Sequence, residues 1–235
     1  MKTLCVMHVP FETPGSILSW AEENNIKTEL CLAGVDSFPC HDSYDLLAIL
    51  GGPMNIYEED LYPWLKDEKA FIHGAIEQGK TILGFCLGAQ LLSDALGGKV
   101  TRNEHPEIGW HKIKTFGYRQ AKHFSTLPPE FQAFSWHGDT FSVPPGALAL
   151  AESAGCKNQA FSCEDRIFGF QFHLESTIET ISALIENCKD ELVPGPYVQT
   201  AEELLRPDFV KEANGLMAGL LESLKNDFCQ RVGKS

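Results

Sequence analysis

The sequence predicts an α/β fold with a mainly parallel central sheet flanked by helices, and three observations carry that prediction. Asp45–Leu50 (DLLAIL) and Thr81–Phe85 (TILGF) are continuous apolar runs, the pattern of strands whose two faces are both covered by helices. Strand-like and helix-like segments alternate through the first half of the chain, and such alternation closes through right-handed crossovers into parallel pairs. Gly84-Phe85-Cys86-Leu87-Gly88 stands where an apolar strand runs into a helix-forming segment, at the strand end where open α/β sheets place their sites.

Taken in order, Leu4–Val9 reads as a buried first strand, and Thr13-Pro14 offers an N-cap followed by Pro at the first position of a helix reaching Asn24. Lys27–Ala33 is the second strand and DLLAIL the third, ended by the sharp turn Gly51-Gly52-Pro53. From Pro63 to Gln78, Leu65, Phe71, Ile72, Ala75 and Ile76 share a helix face, and Gly79 stops the helix. TILGF is the fourth strand, and the helix after Cys86 runs through Leu91, Leu92, Ala95 and Leu96 to Gly97-Gly98. The second half changes character. Lys99–Phe116 and Phe131–His137 read as strands, and Gln159–Phe172 as a hairpin turning near Glu164-Asp165-Arg166. Leu127-Pro128-Pro129 and Val143-Pro144-Pro145-Gly146 mark loops. Ser176-Thr177-Ile178-Glu179 has the spacing of a capping box, opening a helix that buries Ile178, Ile181, Leu184 and Ile185. After a break at Pro194-Gly195-Pro196, the last helix, Phe209–Phe228, places Phe209, Ala213, Leu216, Leu220, Leu224 and Phe228 on one core-facing stripe. No internal repeat or domain-separating linker interrupts this order.

The 235 residues carry 19 basic and 32 acidic side chains, a net charge of −13 that argues against nucleic acid or an anionic membrane surface as the main partner. No stretch approaches the length of a membrane span, and the N-terminal segment, interrupted by His8 and Pro10, does not read as a leader. The eight cysteines lack C-x-x-C pairs or regular spacing, so reduced thiols in a cytoplasmic protein are expected rather than a disulfide framework.

The chemistry centres on Cys86. A side chain thrust out at a strand-to-helix turn needs backbone that tolerates strain and close approach, which Gly84 and Gly88 supply. The turn sets sulfur at a helix N-terminus, where unpaired N–H groups and the macrodipole favour a thiolate. A buried, inert core cysteine is the competing reading, and other parts of the chain decide against it. In Gly169–Glu175 (GFQFHLE), an extended backbone puts His173 and Glu175 on one side, so the carboxylate can orient the imidazole while its second nitrogen moves a proton. Acyl transfer needs two donors for the developing oxyanion. The N–H of Leu87, after the nucleophile, is one, and Gly52, in a glycine turn ending another apolar strand, is the expected second. One motif is rejected: Gly74–Thr81 (GAIEQGKT) spells a P-loop, yet it closes a helix and opens a strand, so no helix N-terminus faces a phosphate.

Together GGPMNIYEEDLYPWL, ILGFCLGAQLLSDALGGKV, FSWHGDTFSVPPGA and GFQFHLES resemble a class I, triad-type glutamine amidotransferase domain, similar to the amidotransferase part of GMP synthase, from about Leu46 to Glu175. The resemblance implies a flavodoxin-like amidotransferase fold over residues 1–190, with residues 191–235 a C-terminal helical extension packed on the same domain. It implies Cys86 as nucleophile, His173 as base and later acid, Glu175 as orienting carboxylate, Gly52 and Leu87 as oxyanion donors, and Gln90, Ser135, Trp136 and His137 as walls of the γ-glutamyl pocket. No cofactor or metal is implied, and the eight histidines lack ligand spacing such as H-x-x-x-H. Family members commonly have Pro between the His and the Glu; Leu174 here frees a φ angle that Pro would fix.

A GMP synthase continues into an ATP-pyrophosphatase part, which the residues after Glu175 do not resemble. The chain therefore resembles the ammonia-releasing half of such an enzyme, and three functions follow from it. The first is glutamine hydrolysis, with ammonia passed to an acceptor on a separate synthetase partner. The second is hydrolysis of γ-glutamyl peptides or conjugates by the same triad. The third is a non-catalytic binding or regulatory role on the same fold.

Overall fold

The apolar runs become strands because each has a helix layer on either side. The structure is a computed structural model describing residues 1–116 and 121–233. In chain order the elements are β1 (Lys2–Met7), α1 (Ser16–Glu23), β2 (Lys27–Leu32), β3 (Leu46–Ile49), α2 (Trp64–Glu77), β4 (Thr81–Phe85), α3 (Leu87–Ala95), β5 (Val100–Thr115), β6 (Glu130–Phe141), β7 (Leu148–Glu152), β8 (Ala160–Cys163), β9 (Ile167–Phe170), α4 (Ile178–Cys188), α5 (Ala201–Leu204) and α6 (Pro207–Val232).

The strands form one sheet in the order β2-β1-β3-β4-β9-β8-β7-β5-β6. From β2 to β9 every pairing is parallel, and from β9 to β6 every pairing is antiparallel. The parallel half has the predicted α/β character, and the second-half strands extend it. Alternate side chains enter two cores. Cys5, Met7, Leu46, Ala48, Leu83 and Phe85 face the layer of α1, α4 and α6, whereas Leu4, Val6, Leu47, Ile49 and Ile82 face α2 and α3. Each large apolar side chain buried this way contributes about 1.5–3 kcal/mol relative to exposure. Among the described residues no helix is long and apolar enough to cross a membrane. All eight cysteines are free thiols.

Several local expectations shift. Thr13 does not cap α1; the helix starts at Ser16 after Gly15 (φ 51°), and the Ser16 N–H donates to the Glu175 carbonyl at 2.8 Å, so the first turn is capped from across the fold. α4 begins one residue later than its sequence signature. Thr177 is the N-cap and exchanges hydrogen bonds with Thr180, and Asn214 Nδ2 holds the preceding carbonyls of Leu174 and Ser176 at 2.9 Å. β7, unforeseen among the Pro- and Gly-rich signals, pairs with β8 and β5. β9 ends at Phe170 rather than running to Phe172, because the chain there leaves β4 and its His173 N–H crosses to the Phe134 carbonyl of β6 at 2.7 Å. The α6 stripe is rotated: Val210, Ala213, Met217, Leu220, Leu221 and Leu224 are buried, while Phe209, Leu216 and Phe228 are only half-buried. The predicted hairpin turn is present, with Glu164 and Asp165 both at positive φ. At the P-loop look-alike, Gly74 lies inside α2, Thr81 opens β4, and Lys80 Nζ donates to the Tyr44 carbonyl at 2.9 Å.

Candidate active site

The C-terminal ends of β1, β3, β4 and β9 converge, and the chain order reverses between β1 and β3, where a parallel sheet opens a crevice. Cys86 leaves β4 with φ 48° and ψ −106°, a conformation an L-residue holds only under strain, at a cost on the order of 1–3 kcal/mol. The surroundings fix it. The Cys86 N–H donates to the Phe170 carbonyl at 2.8 Å, and the Gly88 N–H to the Leu50 carbonyl at 3.1 Å. The two glycines are required by space: a Cβ on Gly84 would lie 2.6 Å from the Gly88 carbonyl group, and one on Gly88 would lie 2.2 Å from the Ile49 carbonyl oxygen. Leu87 opens α3, so its N–H lies in the first turn, where no intrahelical acceptor exists.

His173 and Glu175 meet as the two-residue spacing predicts, with Nδ1 and Oε1 2.5 Å apart and each residue 4 % exposed. A carboxylate accepts, so Nδ1–H donates and Nε2 faces the remaining chemistry. The imidazole is held well above its ordinary pKa: burial works against the charge, and the Glu175 carboxylate together with hydrogen bonds to Cys86 and Glu175 outweighs it. The freedom that Leu174 leaves is removed elsewhere. Asn214 of α6 clamps the carbonyls of Leu174 and Ser176, and Ser16 of α1 holds the carbonyl of Glu175.

These groups open on a pocket of about 930 Å³ whose lining includes Cys86, His173, Gly52, Gln90, Trp136 and His137. Cys86 is 7 % exposed, its Sγ–H directed at the Trp136 carbonyl at 3.6 Å. Gln90 Nε2 donates to Gln171 Oε1 at 3.3 Å, and Gln171 Nε2 donates to Cys86 Sγ at 3.6 Å. Trp136 Nε1 donates to Glu191 at 2.9 Å. Ser135 is the exception among the expected pocket residues. It is fully buried, its hydroxyl lacks a partner among the described residues, and it does not line the pocket.

Sequence reading missed Glu12, Gln171 and His8. Glu12 lines the pocket, and burial pushes its carboxyl upward against the pull of His173 and His8. Gln171 shares the side of His173 by the same alternation, a signal that was available. His8 follows β1 and has no local signature. Beside the pocket wall that His137 forms, Glu107, His137 and Cys156 offer ligand-type atoms within 4.8 Å of one another. Their lone pairs and protons are already engaged: Glu107 accepts from Ser153 and Gln159 at 2.6 Å and faces His137 Nε2 at 3.1 Å, and His137 Nδ1 meets the Asp139 carbonyl at 2.9 Å. The trio therefore reads as a satisfied polar network behind the pocket wall.

Comparison with known proteins identifies the family and relatives that the chain resembles. The family described as glutamine amidotransferase class-I matches residues 17–191. The glutamine amidotransferase-like protein YfeJ of Salmonella typhimurium is 33 % identical over 201 residues, covering 82 % of this chain and 83 % of that protein. One of the subunits of the glutamine-hydrolyzing GMP synthase of Sulfurisphaera tokodaii is 34 % identical over 153 residues, covering 62 % of this chain and 78 % of that one. A crystal structure of a glutamine amidotransferase from Thermotoga maritima superposes with a TM-score of 0.87 at 32 % identity, covering 94 % of this chain and 96 % of that one.

Proposed function

The chain belongs to the class I glutamine amidotransferase family, and on that premise we propose that it hydrolyses the side-chain amide of glutamine through a γ-glutamyl thioester on Cys86. The observation that carries this reading is the meeting of a strained elbow cysteine with a buried His173–Glu175 pair at the same strand ends. Cys86 gives its thiol proton to His173 Nε2 as the sulfur attacks the amide carbon, and the oxygen takes up negative charge between the N–H groups of Leu87 and Gly52. His173 passes its Nε2 proton to the departing nitrogen, releasing ammonia. The same imidazole then takes a proton from water, hydroxide attacks the thioester, and glutamate leaves as sulfur regains its proton. Glu175 holds the imidazole with Nδ1–H facing it throughout. Gln90, Trp136 and His137 bound the γ-glutamyl group, with Ser135 supporting Trp136 and His137 from behind.

We assign residues 1–190 as the amidotransferase unit and 191–235 as an extension whose α6, through Asn214, steadies the triad segment. The ammonia is passed to an acceptor bound by a separate synthetase partner. The relative that is itself one of the subunits of a glutamine-hydrolyzing GMP synthase supports this reading. A second reading, hydrolysis of γ-glutamyl conjugates, is favoured by the pocket volume of about 930 Å³, which leaves room beyond a glutamine side chain. Purified protein supplied with glutamine, then with a panel of γ-glutamyl amides, separates the two. Higher kcat/KM for glutamine, rising further with a synthetase partner, supports the amidotransferase, and higher kcat/KM for a conjugate replaces it with the hydrolase.

A further inference from the structure

Two buried charged side chains outside the triad lie directly behind the oxyanion turn. His8, at the end of β1, is 4 % exposed, and Glu68, inside α2, is fully buried. His8 Nε2 lies 2.9 Å from Glu68 Oε1, and His8 Nδ1 lies 2.8 Å from the carbonyl oxygen of Gly51. Trp64 stacks on the imidazole, with ring centroids 5.9 Å apart.

The protons can be assigned from the partners. A carbonyl cannot donate, so the Nδ1 proton must point at Gly51. On the other side, one proton is shared between Nε2 and Glu68, whether the pair is imidazolium with carboxylate or neutral imidazole with carboxylic acid. In both forms Nδ1–H donates to Gly51. Burial opposes the charged imidazole, yet Glu68 and the Gly51 carbonyl raise its pKa.

The carbonyl of Gly51 and the N–H of Gly52 belong to one planar peptide unit. A strong hydrogen bond to that carbonyl withdraws electron density through the amide, making the Gly52 N–H a better donor, and fixes the plane of the peptide. The site is tight around it: a Cβ on Gly52 would stand 2.8 Å from His8 Cβ, and one on Gly51 would stand 3.2 Å from His173 Cε1. A helix interior facing the core ordinarily takes an apolar residue, and a buried charge pair is costly where an apolar pair of similar volume would pack.

We propose that His8, held by Glu68, is a positioning residue that orients and polarises the Gly51–Gly52 peptide as one of the two oxyanion donors. This rests on the amidase reading above. The test uses the full chain as wild type, His8→Ala and His8→Asn, since the Asn amide nitrogen can occupy the place of Nδ1 and donate to Gly51. Three readouts are compared: kcat and KM for glutamine, the rate of Cys86 alkylation by iodoacetamide, which needs the sulfur and not the oxyanion donors, and the amide resonance of Gly52 by NMR. The expected result for His8→Ala is a kcat about 10²-fold lower, with KM and alkylation within twofold of wild type. The Gly52 amide proton moves upfield, and His8→Asn recovers at least about a tenth of wild-type kcat.

The proposal is overturned if His8→Ala keeps kcat within threefold, if His8→Asn is no better than His8→Ala, or if alkylation falls in step with kcat. Should His8→Ala not fold, His8→Asn decides the matter: kcat and the Gly52 resonance moving together, both near wild type or both displaced, support the proposal, and kcat lost with the resonance unchanged, or the resonance displaced with kcat kept, overturns it. If the wild-type protein itself neither hydrolyses glutamine nor reacts at Cys86 with a glutamine-mimicking diazoketone, the amidase reading fails. The Gly52 resonance still separates a polarised peptide from an unpolarised one.

Discussion

Replacing Gly88 with alanine tests whether the elbow and the oxyanion turn are one mechanical unit. The added Cβ would lie 2.2 Å from the Ile49 carbonyl oxygen, 2.7 Å from its carbon and 2.9 Å from the Ile49 Cβ. These are backbone or stiff side-chain atoms at the end of β3, so no flexible group can swing away. Reaching ordinary contact requires α3 and β3 to separate by about 1 Å, and a displacement of that size at a reacting centre costs about 10²-fold in rate. The Gly88 N–H to Leu50 carbonyl bond at 3.1 Å stretches with it, carrying Leu87 away from Gly52. Overpacking of this kind costs about 1–3 kcal/mol, and each kcal/mol lowers Tm by about 2–4 °C in a chain of this size. Gly88→Ala is therefore expected to melt roughly 2–12 °C lower and, while folded, to hydrolyse glutamine about 10²-fold more slowly. Calorimetry and a glutamate-release assay below the melting transition measure both. Retention of kcat within threefold of wild type would refute the close approach of α3 to β3 as a condition for catalysis.

Other perturbations have signs fixed by the same geometry. Glu175→Gln removes the carboxylate that raises His173 and allows the opposite tautomer, so kcat should fall by about 10⁴, and the His173 resonance should titrate at lower pH than in wild type. Because the folded pKa of His173 lies above its unfolded value, the stabilisation from this pair is fully present below about pH 6.5 and is lost as pH rises through the folded value. The melting difference between wild type and Glu175→Gln should narrow toward alkaline pH. Glu107→Ala leaves His137, Ser153 and Gln159 without the buried acceptor they share and is expected to cost about 1–3 kcal/mol by urea unfolding. Gly219 lies in α6 with open space around its Cα, so Gly219→Ala should stabilise the protein by about 0.5–1 kcal/mol without changing kcat.

What could be read from sequence was what is local. DLLAIL and TILGF became β3 and β4 because a strand covered on both faces is continuous in apolar residues, and the elbow was visible because its glycines flank its cysteine. The His173–Glu175 pair survived a wrong strand boundary: the chain bends on either side of His173 after β9 has ended, and the two side chains two residues apart still meet at 2.5 Å. What escaped was set by partners distant in the chain. The cap of α1 comes from Glu175, the restraint that Leu174 lacks comes from Asn214, and His8 meets Glu68 across β1 and α2. The α6 stripe turned because its buried side is chosen by the sheet and α1 rather than by the spacing of its largest side chains. β7 was hidden because Leu148–Glu152 is rich in Leu and Ala, residues that favour helices, and became a strand only through its pairing with β8 and β5.

The most direct test of the central claim is where a glutamine-mimicking diazoketone reacts. Among eight free thiols, Cys40 and Cys229 are exposed, whereas Cys86 is buried beside His173. Simple accessibility would favour the exposed pair, and catalysis favours Cys86. Peptide mass spectrometry after limited labelling should find one adduct, on Cys86, formed at a rate that parallels loss of glutamine hydrolysis and is suppressed by glutamine. An adduct on Cys40 or Cys229 with Cys86 unmodified, or hydrolysis that survives Cys86→Ala, would contradict the account.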